Sequence, residues 1–559
     1  MKYTCLLLFI LANAAYVHAN TKVVQSTGVG SLATLITEDE YSQIDTLIVT
    51  GNINGADMRI VRTIFGFAAE GQQPLGHATH LDISGATMKS GGGTVITVEN
   101  QNYFTGNNQL TSYLFSGCTT LTSIVCPATV KTIARNAFFQ CSALHTVSLG
   151  SATASLADNA FAQCTALTTI DIPQNVKTLS AATFTGCTAL THVNVHNDNN
   201  NFSSHDGVLY NKTATELLFF PAGKPDTTVD IPDGVITIGE RAFSGNTHLQ
   251  QVTLPASVNT INDYAFSNTA LQAINIPQTV TTIGKGICYG CTDMTTATLS
   301  DAITTIPEAA FFGCTALEQV TLPANLEAFD YGCFSYCSSL KHIQLPSSLQ
   351  DMGMGAFYMS GLEEVELPEG LTATGSTAFS FCTALRRVVL PSTITTISEH
   401  TFFNCTALEE CVIGDNLETI ELQGFALCSA LKSLRLPATL TSIAQNGLLS
   451  CKSIETLYSL ATVPPTAGQD CFNGIPKEGT LYVSEGCIDA YAAATGWSAF
   501  THVKTTDTTL AGDGLPVTTT PLVPRLTLSD TYGIDGRRHV PGSRATLLIT
   551  HDRKKIVRR

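Results

Sequence analysis

The stretch Ala378–Ile397 reads AFSFCTALRRVVLPSTITTI, and its pattern recurs along most of the chain. The pattern is Ala-Phe, two residues, Cys, two residues, Leu, two residues, a β-branched apolar residue, one residue, Leu-Pro and a closing Ile. A repeat of this length is typical of a stacked solenoid, in which each unit packs only against its neighbours. We therefore expect function to depend on what the stack displays on its surface.

The Phe of this pattern keeps a strict register. The spacing is 23 residues, with two steps of 22 and one gap of 59. Twelve of the fourteen positions are Phe, position 288 is Cys and position 448 is Leu. The positions are 115, 138, 161, 184, 243, 266, 288, 311, 334, 357, 379, 402, 425 and 448.

Within each turn, apolar residues alternate over a short segment that ends at proline, as in Leu249, Val252, Leu254 and Pro255. Alternation predicts a β-strand, and proline cannot donate to further pairing, so the strand ends there. The pattern indicates short parallel strands on one face, with turns and short helical turns returning the chain on the other. One turn cannot bury its own Phe, Leu and Ile, so each turn depends on its neighbours.

The register divides the chain into predicted segments. Residues 206–220 read as a β-hairpin inside the gap of 59, which either carries binding or only decorates one repeat. The segments are 1–19, a signal peptide; 20–109, an N-terminal cap; 110–460, the repeat solenoid with a hairpin insertion near 197–228; 461–504, a C-terminal cap; 505–526, a Thr/Gly/Pro-rich linker; and 527–559, a short basic module.

Composition and charge exclude some classes of partner. Only 13% of the 559 residues are charged, and the formal net charge is -16. From Pro524 to Arg559 there are nine Lys or Arg against three Asp or Glu. The rest of the chain, here called the body, is therefore more acidic than the net charge of the whole chain indicates. Such a body should repel nucleic acid and anionic membranes. Lys2, the apolar run Leu6–Ala15 and the site Val17–Ala19 predict export, and no run is long enough to span a bilayer.

The repeat AFxxCxxLxxIxLPxx(V/L)xxI resembles the 23-residue bacterial leucine-rich repeat of BspA-like surface antigens, from Phe115 to Leu457. DGVLYNK and LLFFPAGK, within Asp206–Lys224, are also similar to that family. The tail, YGIDGRR to KKIVRR, is similar to C-terminal sorting modules of bacteria that export proteins across an outer membrane, although Ala545–Ile549 replaces the usual Gly-Ile-Tyr strand. The resemblance implies a leucine-rich-repeat solenoid that is secreted or displayed on the cell surface. It also implies adhesion to host or bacterial partners without enzymatic activity.

Eleven of the eighteen cysteines occupy the Cys position of the repeat. Exported proteins often use cysteines as a disulfide framework. Successive repeats, however, would stack their Cβ vectors in parallel, which suits the S–S dihedral angle poorly. We interpret these residues as buried structural thiols. Cys471 and Cys487 are the one pair considered for a bridge.

The residues that flank the central β-branched position of each strand should point outward. Up to Gln344 these residues are almost wholly neutral and polar, which suits contact with a protein or a glycan. The candidate binding residues are Gln251, Thr253, Asn275, Thr296, Thr298, Gln319, Thr321, His342 and Gln344.

Beyond Gln344 the outward charges alternate in sign from turn to turn. Adjacent strands lie about 4.8 Å apart, so each charge should meet its opposite in the next turn. This half of the face should therefore neutralise itself and offer little net field to a charged partner. The charged residues are Glu363, Glu364, Glu366, Arg386, Arg387, Glu409, Glu410, Lys432, Arg435 and Glu455.

Motifs for catalysis or for cofactors are not found in the sequence. There is no HExxH, GxSxG, phosphate-binding loop or pair of CxxC motifs at zinc spacing. Asp198–Asn201 lacks the spacing of a calcium loop, and His205–Asp206 reads as an ordinary turn before Gly207 rather than as a catalytic dyad. We expect a monomeric, non-enzymatic binding protein with no cofactor. The alternatives are a structural spacer or antigenic coat without a dedicated ligand, and a polysaccharide-degrading enzyme, which would need converging carboxylates.

Overall fold

The computed structural model describes residues 20–67 and 75–506, and two short strands further along, Leu548–Ile549 and Lys555–Ile556. The predicted signal peptide and most of the predicted linker and basic module lie outside the described residues. The described chain is a parallel β-solenoid of about 21 turns, with few helices. The leucine-rich-repeat architecture expected from the sequence is confirmed.

Most turns contribute one strand to the front sheet, whose members run parallel. Its register follows the repeat, so that Thr296 lies beside Gln319 and Thr298 lies beside Thr321. The front strands are Thr21–Gln25, Thr46–Ile53, His80–Asp82, Ser123–Val125, Thr146–Ser148, Thr169–Ile172, His192–Val195, Thr228–Asp230, Gln251–Thr253, Ala273–Asn275, Thr296–Thr298, Gln319–Thr321, Glu364–Glu366, Arg387–Val389, Glu410–Val412, Ser433–Leu436, Thr456–Ser459, Thr480–Val483 and His502–Thr505.

A second, shorter strand in most turns forms the back sheet. Its usual sequence is Thr-Ile, in which the Ile is buried and the Thr is outward. The back strands are Gln109–Leu110, Thr132–Ile133, Ser155–Leu156, Thr178–Leu179, Glu216–Phe219, Thr237–Ile238, Thr260–Ile261, Thr282–Ile283, Thr305–Ile306, Ala328–Phe329, Asp351–Met352, Thr396–Ile397, Thr419–Ile420, Ser442–Ile443 and Thr466–Ala467.

Between the two sheets, the Phe rings form a column through the core. Phe311, Phe334 and Phe357 stack with centroids 5.3 and 5.6 Å apart and planes within 6° of parallel. All three rings are fully buried. Where Cys288 and Leu448 replace the ring, smaller apolar side chains fill the same column and remain buried.

The gap of 59 residues holds two antiparallel strands, Phe202–His205 and Val208–Asn211, followed by Glu216–Phe219. Glu216–Phe219 then pairs parallel with Thr237–Ile238 and so begins a new stretch of the back sheet. Phe220 stacks on Phe243 with centroids 4.9 Å apart, because it lies one repeat length before that ring. The segment is therefore built into the stack rather than carried outside it.

Both ends of the solenoid are covered. The N-terminal end carries the helices Leu32–Leu35 and Gly55–Ile64, the strand Ala86–Met88, and an antiparallel pair, Gly91–Val98 with Gln101–Thr105. Asn54 and Asp57 form a capping box that starts the second helix.

The C-terminal end carries the helix Ile488–Ala493 and the 3-10 turn Trp497–Ala499. There the Tyr491 hydroxyl lies 2.8 Å from the Ser459 hydroxyl, and the Trp497 indole donates to the Pro465 carbonyl at 2.7 Å. In the part of the chain that the structure describes, no helix is both long and apolar enough to cross a membrane.

Candidate binding surface

The nine candidate binding residues predicted above are hereafter called the neutral face. Thr296 is half-buried and the other eight are exposed. Asn275, Thr298 and Thr321 follow one another in register on three hydrogen-bonded strands. Gln251 and Thr253 lie on the preceding strand, which pairs with Thr228–Asp230.

The side chains of the neutral face lack hydrogen-bond partners within the described chain. Within the described part of the chain, none of the nine side chains makes a hydrogen bond. Threonines elsewhere often do, as where the Thr295 hydroxyl donates to the Gln272 carbonyl at 3.1 Å. The neutral face therefore presents donors and acceptors that only solvent or a partner can satisfy.

His342 and Gln344 differ from the rest of the neutral face. Both are exposed, as the alternation predicts, but residues 341–346 form no strand, so the front sheet is interrupted there. Ile343 and Leu345 still pack against the core. The hydrogen-bonded part of this surface therefore ends at Thr321.

The charged half of the front sheet neutralises itself in the manner that the sequence predicts. Glu363 lies 3.2 Å from the Lys341 ammonium and 2.9 Å from the Arg386 guanidinium. The hydrogen bond from Lys341 is the largest cause that lowers the pKa of Glu363. Arg387 pairs with Glu410 at 2.9 Å.

The charged half departs from the predicted pairing at its edges. Lys432 pairs with Glu409 at 3.2 Å as expected, but Arg435 reaches Asp415 at 2.8 Å, a partner that the strand pattern did not indicate. Glu364, Glu366 and Glu455 make no ion pair within the described residues. These three carboxylates leave a small acidic excess that simple alternation missed.

The cysteines are buried thiols rather than disulfides. All seventeen that the structure describes are free, including Cys471 and Cys487. In the repeats, the thiol donates to the carbonyl of the ring position one turn earlier, as from Cys337 to Phe311 at 3.2 Å and from Cys405 to Phe379 at 3.1 Å. The Cys residue thus links consecutive turns.

Burial disfavours the thiolate form of most of these cysteines. Burial raises the pKa of Cys382 to about 11 and that of Cys126 to about 12. Since the thiolate is the nucleophile, these groups are poor candidates for catalysis. Cys288 and Cys291 form a CxxC motif, but both are fully buried, because Cys288 occupies the ring position and Cys291 the Cys position of the repeat.

The turn Asp206–Gly207, which joins the strands Phe202–His205 and Val208–Asn211, holds an ion pair rather than a catalytic dyad. The Asp206 carboxylate accepts from the Lys224 ammonium at 2.9 Å, and that hydrogen bond lowers the pKa of Asp206. Asp206 and Gly207 have φ of 49° and 74°, which suits a two-residue hairpin turn. His205 instead lies beside Tyr210, with ring centroids 5.6 Å apart.

The structure offers little support for a metal site or an enclosed active site. Among the described residues, no group of three or more His, Cys, Asp or Glu side chains could hold a metal ion. Asn199 is buried and caps the backbone by donating to the carbonyls of Pro173 and Val176 at 2.9 and 3.0 Å. A cavity of about 290 Å³, lined in part by Phe184, lies where the hairpin joins the stack.

A second surface was missed by the sequence interpretation. Six consecutive turns each place an extra aromatic ring one or two residues after the ring position, and each ring contacts the next, with centroids 5.0–5.7 Å apart. The signal was present in the sequence as a second aromatic residue in successive repeats. This aromatic column consists of Tyr289, Phe312, Tyr336, Tyr358, Phe381 and Phe403.

The parallel strands, the stacked rings and the covered ends define a leucine-rich-repeat solenoid. The chain belongs to the family described as BspA type leucine rich repeat region. The model of that family matches residues 98–217, 219–341, 304–426, 332–455 and 395–492.

Solved structures and curated proteins give a complementary comparison. A leucine-rich repeat protein from Bacteroides ovatus is 22% identical over 64% of this chain and 88% of its own, with a TM-score of 0.44. A leucine-rich repeat protein from Eubacterium ventriosum is 23% identical over 56% of this chain and 89% of its own, with a TM-score of 0.42. A leucine rich cell surface protein from Faecalibacterium prausnitzii is 23% identical over 66% of this chain and 73% of its own, with a TM-score of 0.31. No curated protein matches the chain.

Proposed function

We propose that the protein is a non-enzymatic binding protein, exported to the cell surface or secreted, that engages host or bacterial proteins or glycans through the neutral face. The observation that carries the proposal is a set of outward polar side chains, in register on parallel strands, without hydrogen-bond partners in the described chain. Membership of the BspA-type repeat family supports it, because such surface proteins are typically binding or adhesin-like.

The chemistry of the neutral face favours a neutral polar ligand. Its hydroxyl and amide groups can both donate and accept, whereas a charged ligand would need opposite charges that the face lacks. The paired charges beyond Gln344 contribute little net attraction, since exposed ion pairs are each worth under about 1 kcal/mol. Glycan hydroxyls and polar protein surfaces therefore fit best.

The first test is binding of the full chain to immobilised matrix proteins and to a glycan array. Thr298→Arg with Thr321→Arg places two long cations in the continuous part of the neutral face and should weaken the captured ligand about tenfold or more. The matched control is Thr281→Arg with Thr304→Arg, which adds the same charges next to the back sheet. Equal weakening by both pairs, or no effect of the first pair, would rule out the neutral face.

The same array separates the alternatives. Capture of no ligand would favour a structural spacer or antigenic coat, and hydrolysis of an arrayed glycan would favour an enzyme. The covered ends of the core support a monomer, which sedimentation of the full chain would test. Export and outer-membrane association through the basic module are proposed from the sequence resemblance, and fractionation of cells that express the full chain would test them.

A further inference from the structure

The aromatic column lies outside the neutral face, in the turns that follow the back sheet. Tyr289 and Phe312 stack in parallel at 5.0 Å, whereas from Phe312 onward successive rings are tilted by 52–67°. Tilted rings do not cover one another face to face. Part of each ring therefore remains available to a partner.

The stack does not need these rings. In most other turns the first residue after the ring position is small or polar, such as Ala162, Thr185, Ser244 and Ala426, although Phe139 is aromatic. Those turns keep the same backbone hydrogen bond to the next turn, as from Gln163 to Thr185 at 2.7 Å. A residue that repeats over six turns without being required for packing is explained more simply by contact with a partner.

Two of the rings occupy an unfavourable backbone conformation. Tyr336 and Phe381 have φ of 62° and 61°, a region where glycine is preferred and bulky residues are rare. Gly245 and Gly313 occupy the equivalent position in other turns, with φ of 77° and 72°. The residue two after the ring position has positive φ in the other turns too, as at Gln163, Leu427 and Ser450, so this conformation belongs to the repeat and the two rings are built onto it.

Exposed apolar side chains cluster in the same turns. Five of the thirteen large exposed hydrophobic residues in the described chain lie within 71 residues. Contiguous exposed apolar surface marks an interaction site, and Tyr and Met are enriched in protein interfaces. The five are Tyr289, Tyr331, Tyr336, Met354 and Met359, with exposed fractions of 36–52%.

The charges around the column indicate the chemistry of the partner. Glu308 and Asp330 are exposed in these turns and form no ion pair within the described residues, while Lys285 is an exposed cation in the turn before Glu308, so the carboxylates outnumber the cations. At the N-terminal end, the Arg241 guanidinium lies over the Tyr264 ring, 4.7 Å from its centroid, and Tyr264 in turn contacts Tyr289. The chain itself thus places a guanidinium over Tyr264, the ring that adjoins the N-terminal end of the column.

We propose that the aromatic column is a docking surface for a basic polypeptide, whose Arg and apolar side chains pack on the rings while its positive charges face Glu308 and Asp330. The acidic body, with a net charge of -16 for the whole chain, complements such a partner. Cation–π contact and apolar burial both favour Arg over Lys, because a guanidinium is planar and weakly hydrated. This surface is separate from the neutral face, so either proposal can fail without the other.

The probe is a soluble peptide of alternating Arg and Leu, titrated into the full chain at physiological salt. Tyr336→Gly with Phe381→Gly removes two rings and relieves two left-handed positions, so the variant should fold normally by circular dichroism. We expect its affinity to fall about tenfold or more. Tyr458→Ser with Tyr482→Ser removes a stacked pair of rings elsewhere at the same net charge and should leave affinity unchanged.

Several results would overturn the proposal. Equal weakening by both variants would mean that the peptide senses only the overall charge. Failure of the full chain to bind the peptide at about 1 mM, the weakest range for a specific contact, would exclude a basic partner. If a neutral hexasaccharide binds and only the column variant loses it, the occupant is a glycan instead.

Discussion

Replacing Phe334 by alanine tests the claim that the ring column supports the fold. Phe334 is fully buried, and its ring lies 5.3 Å from Phe311, 5.6 Å from Phe357 and 5.8 Å, edge-on, from Phe329. Removing a ring from such a site costs about 3–5 kcal/mol, because burial is lost and a cavity remains. Since each turn packs only on its neighbours, the loss should appear first in the adjacent turns.

The assay is urea denaturation of the full chain, combined with hydrogen exchange resolved by turn. Loss of amide protection should centre on residues 311–357, and the free energy of unfolding should fall. Phe312→Ala is the matched control, because it removes the same ring from a half-buried position in the aromatic column and should cost only about 1 kcal/mol or less. A cost below about 1 kcal/mol for Phe334→Ala, or equal costs for both variants, would refute the reasoning.

Three further predictions concern thiols, ion pairs and pH. Alkylation in denaturant without reductant should add one label to every cysteine, whereas the native chain should react slowly, and a shortfall of even one pair would contradict the thiol assignment. A double-mutant cycle on Arg387 and Glu410 should give a coupling below about 1 kcal/mol that disappears in high salt; a larger coupling that is insensitive to salt would contradict it. Because Lys224 lowers the pKa of Asp206, their pair stabilises the fold above the unfolded pKa of the carboxylate and is lost as pH falls through the lower folded pKa. The unfolding temperature of Lys224→Met should lack the part of the pH dependence that comes from this pair. An unfolding temperature that falls with acid as in the original chain would contradict the prediction.

The ring column and the thiols could be predicted from the sequence because one period governs both. The segment between Phe184 and Phe243 could not be placed in the same way. Phe220 lies one repeat before Phe243 but lacks the Cys that usually follows, so the ring position was not apparent. The antiparallel pairing of Val208–Asn211 with Glu216–Phe219 agrees with the predicted hairpin, whereas the parallel pairing of Glu216–Phe219 with Thr237–Ile238 is a contact that the repeat pattern does not encode.

The surface was predicted less completely than the core. Alternation along a strand fixes which side chains point outward, so the neutral face follows from sequence. Long side chains can reach residues that strand register does not place together, as Arg435 reaches Asp415. In the turns, the direction of a side chain depends on whether φ is positive, so Tyr336 and Phe381 could not be assigned to the surface from spacing alone.

The most direct test of the account is an arginine scan along the front sheet, measured against the array ligand that the full chain binds most tightly. Single substitutions of Asn275, Thr298 and Thr321 should each weaken binding about tenfold, because each places a long cation in the contact area. Substitutions of Ser433 and Thr456, which lie on strands of the charged half, should leave affinity unchanged. Equal losses along the whole sheet, or losses only at Ser433 and Thr456, would contradict the assignment of the neutral face as the binding surface.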